Sequence, residues 1–421
     1  MRSWRLFLAR PIVQIVGALL LAVLVPAYAR VGFTVFTFDD KWLNTTLLVT
    51  GTAVLASYIT FTNLTKFPNV KEGAFIFITV TTFYAIGAFI LLFSRARYSG
   101  YLFLSSFLIS VVWFYVVHFS SLRAKKLRFA VVPGGMAGRL IELQGVEWSL
   151  LKEPQLSAGG GNGVVADLRV DFSPHWVRFI TDASLQSVPV FHAKQVYETL
   201  TGRVDIEHLS ENNLGSLVPG FAYVGAKRAF DFIIALVLLP LLSPMFALIA
   251  IAIRWDSPGP ILYQQRRIGY RGAIFTVYKF RTMKHEPDEQ DDDGAPHKFM
   301  TTDDDDRVTK VGRWLRKKRL DEFPQMINIL RGELSFIGPR PEAMALSRWY
   351  ERELPFYRYR HIVRPGITGW AQINQGHVTE MDLVLGKLHY DFYYIKNFSP
   401  WLDLLITLKT MIIMARGIGA R

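Results

Sequence analysis

Apolar residues form four long runs in the first 120 residues of the chain, separated by short loops. The runs lie near residues 11–30, 43–62, 73–93 and 99–120. Each is about 20 residues long, which is the length an α-helix needs to cross the hydrocarbon core of a bilayer. We therefore predict a four-helix transmembrane bundle at residues 1–122. Because three further apolar runs follow the first, a cleavable signal peptide is not predicted there.

Basic residues at the two ends of these runs predict the orientation of the bundle. Arginines precede the first run and a basic cluster follows the fourth, so the positive-inside rule places both ends in the cytoplasm. An even number of crossings agrees with that orientation, whereas Arg95 and Arg97, between the third and fourth runs, contradict the rule. The basic residues are Arg2, Arg5 and Arg10 before the bundle, and Arg123, Lys125, Lys126 and Arg128 after it.

Strand-like and helix-like patterns alternate over residues 123–221, which predicts a small cytoplasmic α/β domain of Rossmann-like type. Gly134, Gly135 and Gly138 do not have the G-x-G-x-x-G spacing of a dinucleotide-binding turn, and no acidic partner stands out. A structural turn is therefore favoured over a nucleotide site. The predicted strands are Phe129–Val132, Val164–Phe172 and Val188–Phe191, and the predicted helix is Lys194–Leu200, ended by Gly202.

A fifth apolar segment, Ala229–Ile253, contains Pro240 and Pro244 with Ser243 between them. Two prolines inside a helix remove backbone hydrogen bonds and bend it. Basic residues lie at both ends of the segment, which disfavours a crossing because one end would face the wrong side. We predict a re-entrant helix over residues 227–254 that dips into the cytoplasmic leaflet and returns. A plain kinked transmembrane helix is the alternative.

Near the C-terminus, apolar residues recur at helical spacing and predict an amphipathic helix. Asp403, Thr407 and Thr410 fall at other positions of that helix. We interpret it either as an interfacial helix lying on the membrane or as an ordinary core helix. The apolar positions are Trp401, Leu404, Leu405, Leu408, Met411 and Ile412.

The composition narrows the range of partners. The 421-residue chain has a net charge of +13, which in a membrane protein favours anionic headgroups and phosphorylated substrates. Nucleic acid is not a predicted partner, because no basic motif is interleaved with aromatic residues. Since the chain has no cysteine, disulfides, thiolate metal sites and a thiol nucleophile are excluded.

The segment Arg319–Glu342 contains the chemically most informative residues. Its apolar spacing predicts a helix that begins at about Asp321 and ends at Gly332. Asp321 and Glu322 then allow two interpretations. One is structural, with an N-cap and a favourable first-turn charge. In the other, Asp321 is a nucleophile that attacks phosphorus, and Glu322 holds Mg²⁺ against a diphosphate.

Basic residues around this pair are candidate phosphate ligands. Arg340 lies between two prolines, and a stiff loop would orient its guanidinium for bidentate phosphate binding. Lys279 and Arg281 share a face if that stretch is a strand, with a solvated strand edge as the alternative. A basic run precedes the acidic pair, and we interpret it as a solvated face that also binds headgroups beside a membrane. It comprises Arg313, Arg316, Lys317, Lys318 and Arg319.

Other polar clusters give weaker signals. The acidic runs Asp288–Asp293 and Asp303–Asp306 lack the spacing of a calcium loop and are interpreted as solvated loop, with Asp306-Arg307 the part expected to be ordered. His361, His377 and His389 have no partner at ligand spacing, so we interpret them as structural.

With these residues in view, residues 222–421 resemble the bacterial sugar transferases, the polyprenyl-phosphate hexose-1-phosphate transferases. The region before residue 222 is similar to that of the long members, which add four helices and a small α/β domain. Where the family more often has Asp-Met, this chain has Glu333-Leu334, a change that keeps charge and apolarity. The matching motifs are Lys227-Arg228 with Asp231, Ser243-Pro244, Ser257-Pro258-Gly259-Pro260, Lys279-Phe280-Arg281-Thr282-Met283, Asp306-Arg307, Leu320-Asp321-Glu322 with Pro324-Gln325, Gly338-Pro339-Arg340-Pro341, Arg364-Pro365-Gly366 and Thr368-Gly369-Trp370-Ala371-Gln372.

The resemblance implies an enzyme that moves hexose 1-phosphate, of glucose or galactose, from a UDP-hexose to undecaprenyl phosphate and releases UMP. This would be the first membrane step of exopolysaccharide, capsule or O-antigen synthesis. The implied location is the bacterial inner membrane, with the catalytic domain on the cytoplasmic face. Membrane lipids are further partners, and a homodimer is left open.

The resemblance also implies an architecture and roles for residues. Residues 222–421 would form a mainly α catalytic domain, with a re-entrant helix broken at Ser243-Pro244 and interfacial amphipathic helices. Asp321 would be the nucleophile of a covalent phosphosugar intermediate, and Glu322 would bind Mg²⁺. The implied phosphate-binding residues are Lys279, Arg281, Arg319, Arg340 and Arg364.

Two other functions are weighed against this one. A membrane-associated glycosyltransferase would release UDP, but it would usually need a Rossmann-type catalytic domain with a D-x-D-like metal motif. Asp303–Asp306 contains such a motif formally, although no clear strand precedes it. A transport component is disfavoured because the predicted bundle offers almost no buried charge for a transport path.

Overall fold

The computed structural model describes residue 8 and residues 10–36, 40–68, 72–122, 127–155, 162–205, 221–284, 307–354, 356–375 and 381–416. The chain divides into two compact units, Met1–Gly202 and Arg203–Arg421. The division into three domains, at residues 122 and 221, stays a prediction. Several positions named above lie outside the described residues, namely Arg2, Arg5, Arg123, Lys125, Lys126, both acidic runs with Asp306, and His377.

Four long apolar helices open the first unit, in the places that the apolar runs predict. Their buried faces include small residues such as Ala18, Ala22 and Ala53, which let helices approach closely. Each helix is long and apolar enough to cross a membrane, as is a fifth helix in the second unit. The chain is therefore a membrane-associated protein. The helices are α1 (Pro11–Val31, with a π-helical stretch at Leu19–Leu24), α2 (Lys41–Leu64), α3 (Glu72–Phe93) and α4 (Gly100–Leu122).

A four-stranded parallel sheet follows in the same unit, with strand order β2-β1-β3-β4. This mixed region confirms that the segment is α/β, and Gly202 ends its last helix in the left-handed conformation as predicted. Helices α5 and α6 and strand β2 were not predicted from the sequence. The elements are β1 (Arg128–Val131), α5 (Ala137–Ile141), β2 (Glu147–Leu150), β3 (Gly163–Ala166), α6 (Pro174–Leu185), β4 (Val190–His192) and α7 (Ala193–Thr201).

The strand predicted over Val164–Phe172 ends early, at Ala166. Asp167 turns the chain there, because its carboxylate accepts from the backbone N–H groups of Met136 at 3.0 Å and Arg169 at 3.3 Å. The same carboxylate fills the space above Gly135, where a Cβ would come within 2.3 Å of its Oδ2. The glycine turn is thus occupied by an acidic group of the chain itself.

The second unit is built on one helix of 36 residues, α8 (Phe221–Asp256). The family resemblance implies a break at Ser243-Pro244, whereas the structure has one helix that includes Pro240 and Pro244. Each proline removes only one backbone hydrogen bond, and the Ser243 hydroxyl donates to the Pro240 carbonyl at 2.8 Å. Whether this helix crosses the bilayer or returns stays a prediction.

The remaining elements of the second unit pack along α8. Ala235 of α8 shares a buried cluster with Val277, Met326 and Ile329, while Ile253 near its end packs with Phe280 and Leu315. The elements are an antiparallel hairpin of β5 (Leu262–Ile268) and β6 (Ile274–Phe280), a parallel pair of β7 (Ser335–Ile337) and β8 (Gly366–Thr368), and helices α9 (Lys310–Lys318), α10 (Met326–Arg331), α11 (Met344–Glu353), α12 (Trp370–Asn374), α13 (Met381–Lys396) and α14 (Pro400–Arg416).

Helix α14 does not bury the face that its spacing predicts. Its buried positions include Leu402, Leu405 and Ile406 together with Asp403, whereas Met411 is exposed. Asp403 is buried because it has partners: Lys227 lies 2.7 Å from its carboxylate, and the hydroxyl of Tyr394 donates to it at 2.8 Å. Charge pairing therefore overrides the apolar spacing in this helix.

Candidate active site

Asp321 and Glu322 lie in a 3-10 helix, Leu320–Gln325, which runs directly into α10. The prediction that Asp321 caps a helix is wrong. The N-cap is Arg319, whose φ of 53° turns the chain sharply after α9, and no side chain caps this turn. The predicted end at Gly332 is confirmed, since Gly332 adopts a φ of 86°. The two carboxylates thus project from a tight turn between two helices.

Glu322 is the paired member of the two carboxylates. Its Oε1 accepts from Arg340 Nη2 at 2.6 Å and from Lys279 Nζ at 3.4 Å. Burial by itself raises the pKa of Glu322, but the charges of Arg340 and Lys279 outweigh it and hold the pKa well below its usual range. Glu322 is therefore ionised at neutral pH, although its side chain is buried.

Asp321 differs from its neighbour in having no partner. It makes no hydrogen bond or ion pair with any other residue that the structure describes. Burial and the adjacent Glu322 charge raise the pKa of Asp321, against the opposing charges of Lys279 and Arg340. A carboxylate that is half-buried, unpaired and flanked by cations has its oxygens available to attack an electrophile.

Lys279 and Arg340 reach the site from distant parts of the chain. Lys279 is 43 residues before Glu322 and lies on β6, while Arg340 is 18 residues after it, in the loop that follows β7. Burial lowers the pKa of Lys279 to about 8, partly offset by Glu322. The Glu322 charge raises the pKa of Arg340, so that guanidinium stays charged. The two cations converge on one carboxylate oxygen.

Arg281 does not share the position of Lys279, contrary to the expectation that both lie on one strand face. Strand β6 ends at Phe280, and Arg281 turns toward the end of α8. Its Nη2 donates to the backbone carbonyl of Ser257 at 2.7 Å and to the Ser257 hydroxyl at 2.9 Å. Its phosphate-binding role stays a prediction.

The other two predicted phosphate ligands lie in different settings. Arg319 directly precedes the turn, and its charge contributes to the low pKa of Glu322. Arg364 donates through Nε to the Gly332 carbonyl at 3.0 Å, and its guanidinium lies 4.9 Å from the centre of the Tyr270 ring. Arg364 is thus linked to the end of α10. No described contact joins it to the acidic pair.

Two further basic residues lie near the site: Arg267, which was not predicted as a ligand, and Arg316, which belongs to the basic run that was predicted to bind headgroups. Arg267, on β5, lies close enough to Arg340 that burial and this like charge lower its pKa to about 10. Arg316 of α9 contributes to the electrostatic environment of Asp321 and donates through Nε to the Thr282 hydroxyl at 2.9 Å. No local pattern in β5 distinguishes Arg267 from its neighbour Arg266, so the sequence gives no signal for it.

The carboxylates fit a magnesium ion that is held together with a substrate. The described residues contain no group of three or more His, Cys, Asp or Glu that could hold a metal. Mg²⁺, however, keeps several waters and needs only one or two carboxylates when substrate phosphates complete its shell. Glu322 is ionised, and its Oε2 makes no hydrogen bond with the described part of the chain. The donor set therefore fits Mg²⁺ bound with a diphosphate.

Comparison with known proteins gives similarity over the whole chain. A family model described as bacterial sugar transferase matches residues 222–417. The UDP-N-acetylgalactosamine-undecaprenyl-phosphate N-acetylgalactosaminephosphotransferase of Aeromonas hydrophila is 41% identical over 418 residues, which cover 99% of this chain and 97% of the relative.

Shorter matches lead to the same group of proteins. The UDP-glucose:undecaprenyl-phosphate glucose-1-phosphate transferase of Escherichia coli (strain K12) is 41% identical over 189 residues, covering 44% of this chain and 39% of the relative. Exopolysaccharide production protein PSS of Rhizobium leguminosarum bv. phaseoli is 37% identical over 199 residues, covering 46% of this chain and 97% of the relative.

Proposed function

The chain belongs to the bacterial sugar transferase family, and from this premise we propose that it transfers hexose 1-phosphate from a UDP-hexose to undecaprenyl phosphate. The products are undecaprenyl-diphosphate-hexose and UMP. The observation that carries the proposal is the pairing of Glu322 with Arg340 and Lys279 beside the unpartnered Asp321. A nucleophile next to converging cations suits attack on a phosphorus atom that bears negative charge.

The proposed chemistry has two displacements at one phosphorus atom. In the first, a carboxylate oxygen of Asp321 attacks the phosphorus attached to the sugar, the bond to the bridging oxygen breaks, and UMP leaves with that oxygen. The product is an acyl phosphate between Asp321 and the sugar. In the second, a phosphate oxygen of undecaprenyl phosphate attacks the same phosphorus, and the Asp321 carboxylate is released.

The cations of the site have distinct tasks in this scheme. Arg340 binds phosphate oxygens bidentately, and Lys279 adds a positive charge beside them. Glu322 orients both cations through its Oε1 and would hold Mg²⁺ through its second oxygen. The metal, when bound, would neutralise charge on the diphosphate.

The relatives differ in the donor sugar that their names give. The relative that spans the chain is named for UDP-N-acetylgalactosamine, and several shorter matches are named for UDP-glucose. A donor panel therefore needs UDP-N-acetylgalactosamine beside UDP-glucose and UDP-galactose.

Product analysis tests the proposed function. Membranes containing the chain, a radiolabelled UDP-hexose and undecaprenyl phosphate are expected to release UMP and to form a labelled lipid diphosphate. Membranes without the chain provide the control. Release of UDP in place of UMP would identify a glycosyltransferase and reject the proposal, as would a failure of all three donors to label lipid.

Contacts at the two ends of α8 support a re-entrant path. Near its start, Arg228 donates to the carbonyls of Ile329 and Leu330, the latter at 3.1 Å. At its end, Asp256 accepts from the backbone N–H of Val311 at 2.9 Å. Arg228 and Asp256 would be about 40 Å apart in a straight helix, more than the hydrocarbon core of about 30 Å.

The segment that contacts both ends of α8 is short and highly charged. Val311 and Ile329 are joined by α9, the acidic pair and α10, which include Arg313, Lys317 and Glu322. A crossing by α8 would require this charged segment to cross as well, at a high cost. Both ends are therefore proposed to lie at the cytoplasmic face of the inner membrane, with the catalytic domain and the small α/β domain on that side.

Cysteine labelling tests this topology, because the native chain contains no cysteine. Arg358→Cys in the second unit and Glu153→Cys in the small α/β domain are both at exposed positions. Both are expected to resist a membrane-impermeant maleimide until the cells are opened. Arg97→Cys, in the predicted periplasmic loop, is the control that should react in intact cells. Labelling of Arg358→Cys in intact cells would show that α8 crosses the membrane.

A further inference from the structure

The loop Gly338–Pro341 presents Arg340 to Glu322 and is held chiefly through its carbonyls. Pro339 and Pro341 have no N–H, so the loop has few donors of its own. Three successive carbonyls accept instead: that of Pro339 from Gly366 N at 3.0 Å, that of Arg340 from Arg360 Nη2 at 2.8 Å, and that of Pro341 from Arg267 Nη1. Two of these three donors are guanidinium groups.

Arg360 is fixed in place by a buried charge network. Its Nη2 also pairs with Asp391 at 2.8 Å, and the two side chains are only 3% and 2% exposed. Its Nη1 donates to the Tyr357 hydroxyl and lies 4.0 Å from Glu342, which in turn pairs with Lys387. Movement of Arg360 would separate these buried opposite charges, which is costly, so the network holds its guanidinium in one place.

Arg267 is fixed from the other side of the loop. Its Nε and Nη2 donate to Gln265 Oε1 at 3.1 Å and 2.8 Å, which leaves Nη1 directed at the Pro341 carbonyl. Arg267 also lies near the like charge of Arg340 and the opposite charges of Glu342 and Glu322. Its contact with Gln265 therefore sets the direction of the group that donates to the loop.

We infer that Arg267 and Arg360 are positioning residues that fix the backbone of Arg340 from both sides, so that its guanidinium is set for the substrate phosphates. The inference rests on the proposed function. It does not require either residue to touch the substrate. A displacement of about 1 Å in a group that binds reacting phosphate lowers the rate by about 100-fold, so a positioning role has a measurable effect.

A double-mutant cycle tests whether Arg267 acts through Arg340. Arg267→Met is compared with Arg266→Met, its neighbour on the same strand, in the full-length protein in membranes. We expect Arg267→Met to lower kcat/KM for UMP release about 10- to 100-fold, and Arg266→Met to change it less than about twofold. Arg267→Lys, which can still donate to the Pro341 carbonyl, should recover most of the loss.

The decisive comparison is made in an Arg340→Lys background. If Arg267 acts through Arg340, Arg267→Met lowers kcat/KM there by less than about threefold, because the effects of coupled residues are not additive. The affinity for UDP-hexose, measured by calorimetry, gives the same comparison when turnover of the double variant is too slow to follow. An equal loss in both backgrounds would overturn the inference, as would equal activity of the Arg267→Met and Arg266→Met proteins.

A second variant covers the case in which Arg267→Met does not fold. Gln265→Leu keeps the Arg267 charge but removes the oxygen that orients it. We expect a smaller loss in the same direction, again absent in the Arg340→Lys background. No loss in Gln265→Leu would then count against the inference. If the wild-type protein releases no UMP, the proposed function itself is rejected. That result differs from failure of the inference, in which the wild-type protein is active but the variants do not show the expected losses.

Discussion

Replacement of Asp321 by asparagine is expected to abolish turnover, by at least about 10³-fold in kcat. An amide cannot attack phosphorus, and no other described carboxylate at the site is unpaired. The change should hardly affect stability, because Asp321 makes no hydrogen bond that would be lost and the new side chain has nearly the same shape. We expect the free energy of unfolding to change by less than about 1 kcal/mol.

The measurement separates chemistry from structure. Asp382→Asn is a matched control, since Asp382 is an exposed aspartate in the first turn of another helix, α13, and it should keep full activity. Incubated with UDP-hexose but no lipid, wild-type enzyme should release UMP up to one equivalent and retain labelled sugar phosphate on Asp321. Full activity of the Asp321→Asn protein, or no label on the wild type, would count decisively against an aspartyl intermediate.

Replacement of Glu322 by glutamine is expected to remove most of the activity and to weaken the response to Mg²⁺. Glutamine keeps the shape but loses the charge that orients Arg340 and Lys279 and that would hold the metal. Two partly buried cations then lose their counter-charge. Unlike Asp321→Asn, this change should therefore also destabilise the fold, by about 1–3 kcal/mol.

Two measurements check this second prediction. Initial rates of UMP release are followed across a range of Mg²⁺ concentrations, and thermal unfolding is followed in the absence of metal. Glu353→Gln, an exposed change on α11, serves as the control for both and should match the wild type. A Glu322→Gln protein with the wild-type dependence on Mg²⁺ would show that this residue is not the metal ligand.

Much of the architecture is encoded locally and could be predicted from sequence. The apolar runs predict helices because a backbone that crosses lipid must satisfy its hydrogen bonds internally, and each run is by itself long enough to cross. Gly202 and Gly332 end helices because glycine adopts positive φ at little cost. The family could also be identified from sequence, because each of its short motifs is contiguous in the chain.

Long-range contacts decided what local patterns left open. A period of two or of 3.6 residues tells which face a side chain occupies but never names its partner. The strand predicted over Val164–Phe172 therefore ends before Asp167, whose carboxylate accepts from a backbone N–H in another loop. Asp403 is likewise buried on a helix whose spacing predicts otherwise, because Lys227 reaches it from α8.

The acidic pair shows most clearly the difference between what local sequence predicts and what long-range contacts decide. From the sequence alone, Asp321 and Glu322 allow either a structural role at a helix start or a catalytic one, with Asp321 as nucleophile and Glu322 as metal ligand. The fold separates them by bringing Arg340 and Lys279, 18 and 43 residues away, to Glu322 and leaving Asp321 unpaired. Electrostatic interactions act over a few ångströms in space, whatever the separation along the chain. The sequence by itself therefore determined the candidate residues, and only the tertiary structure decided that Glu322 is paired with two cations while Asp321 is not.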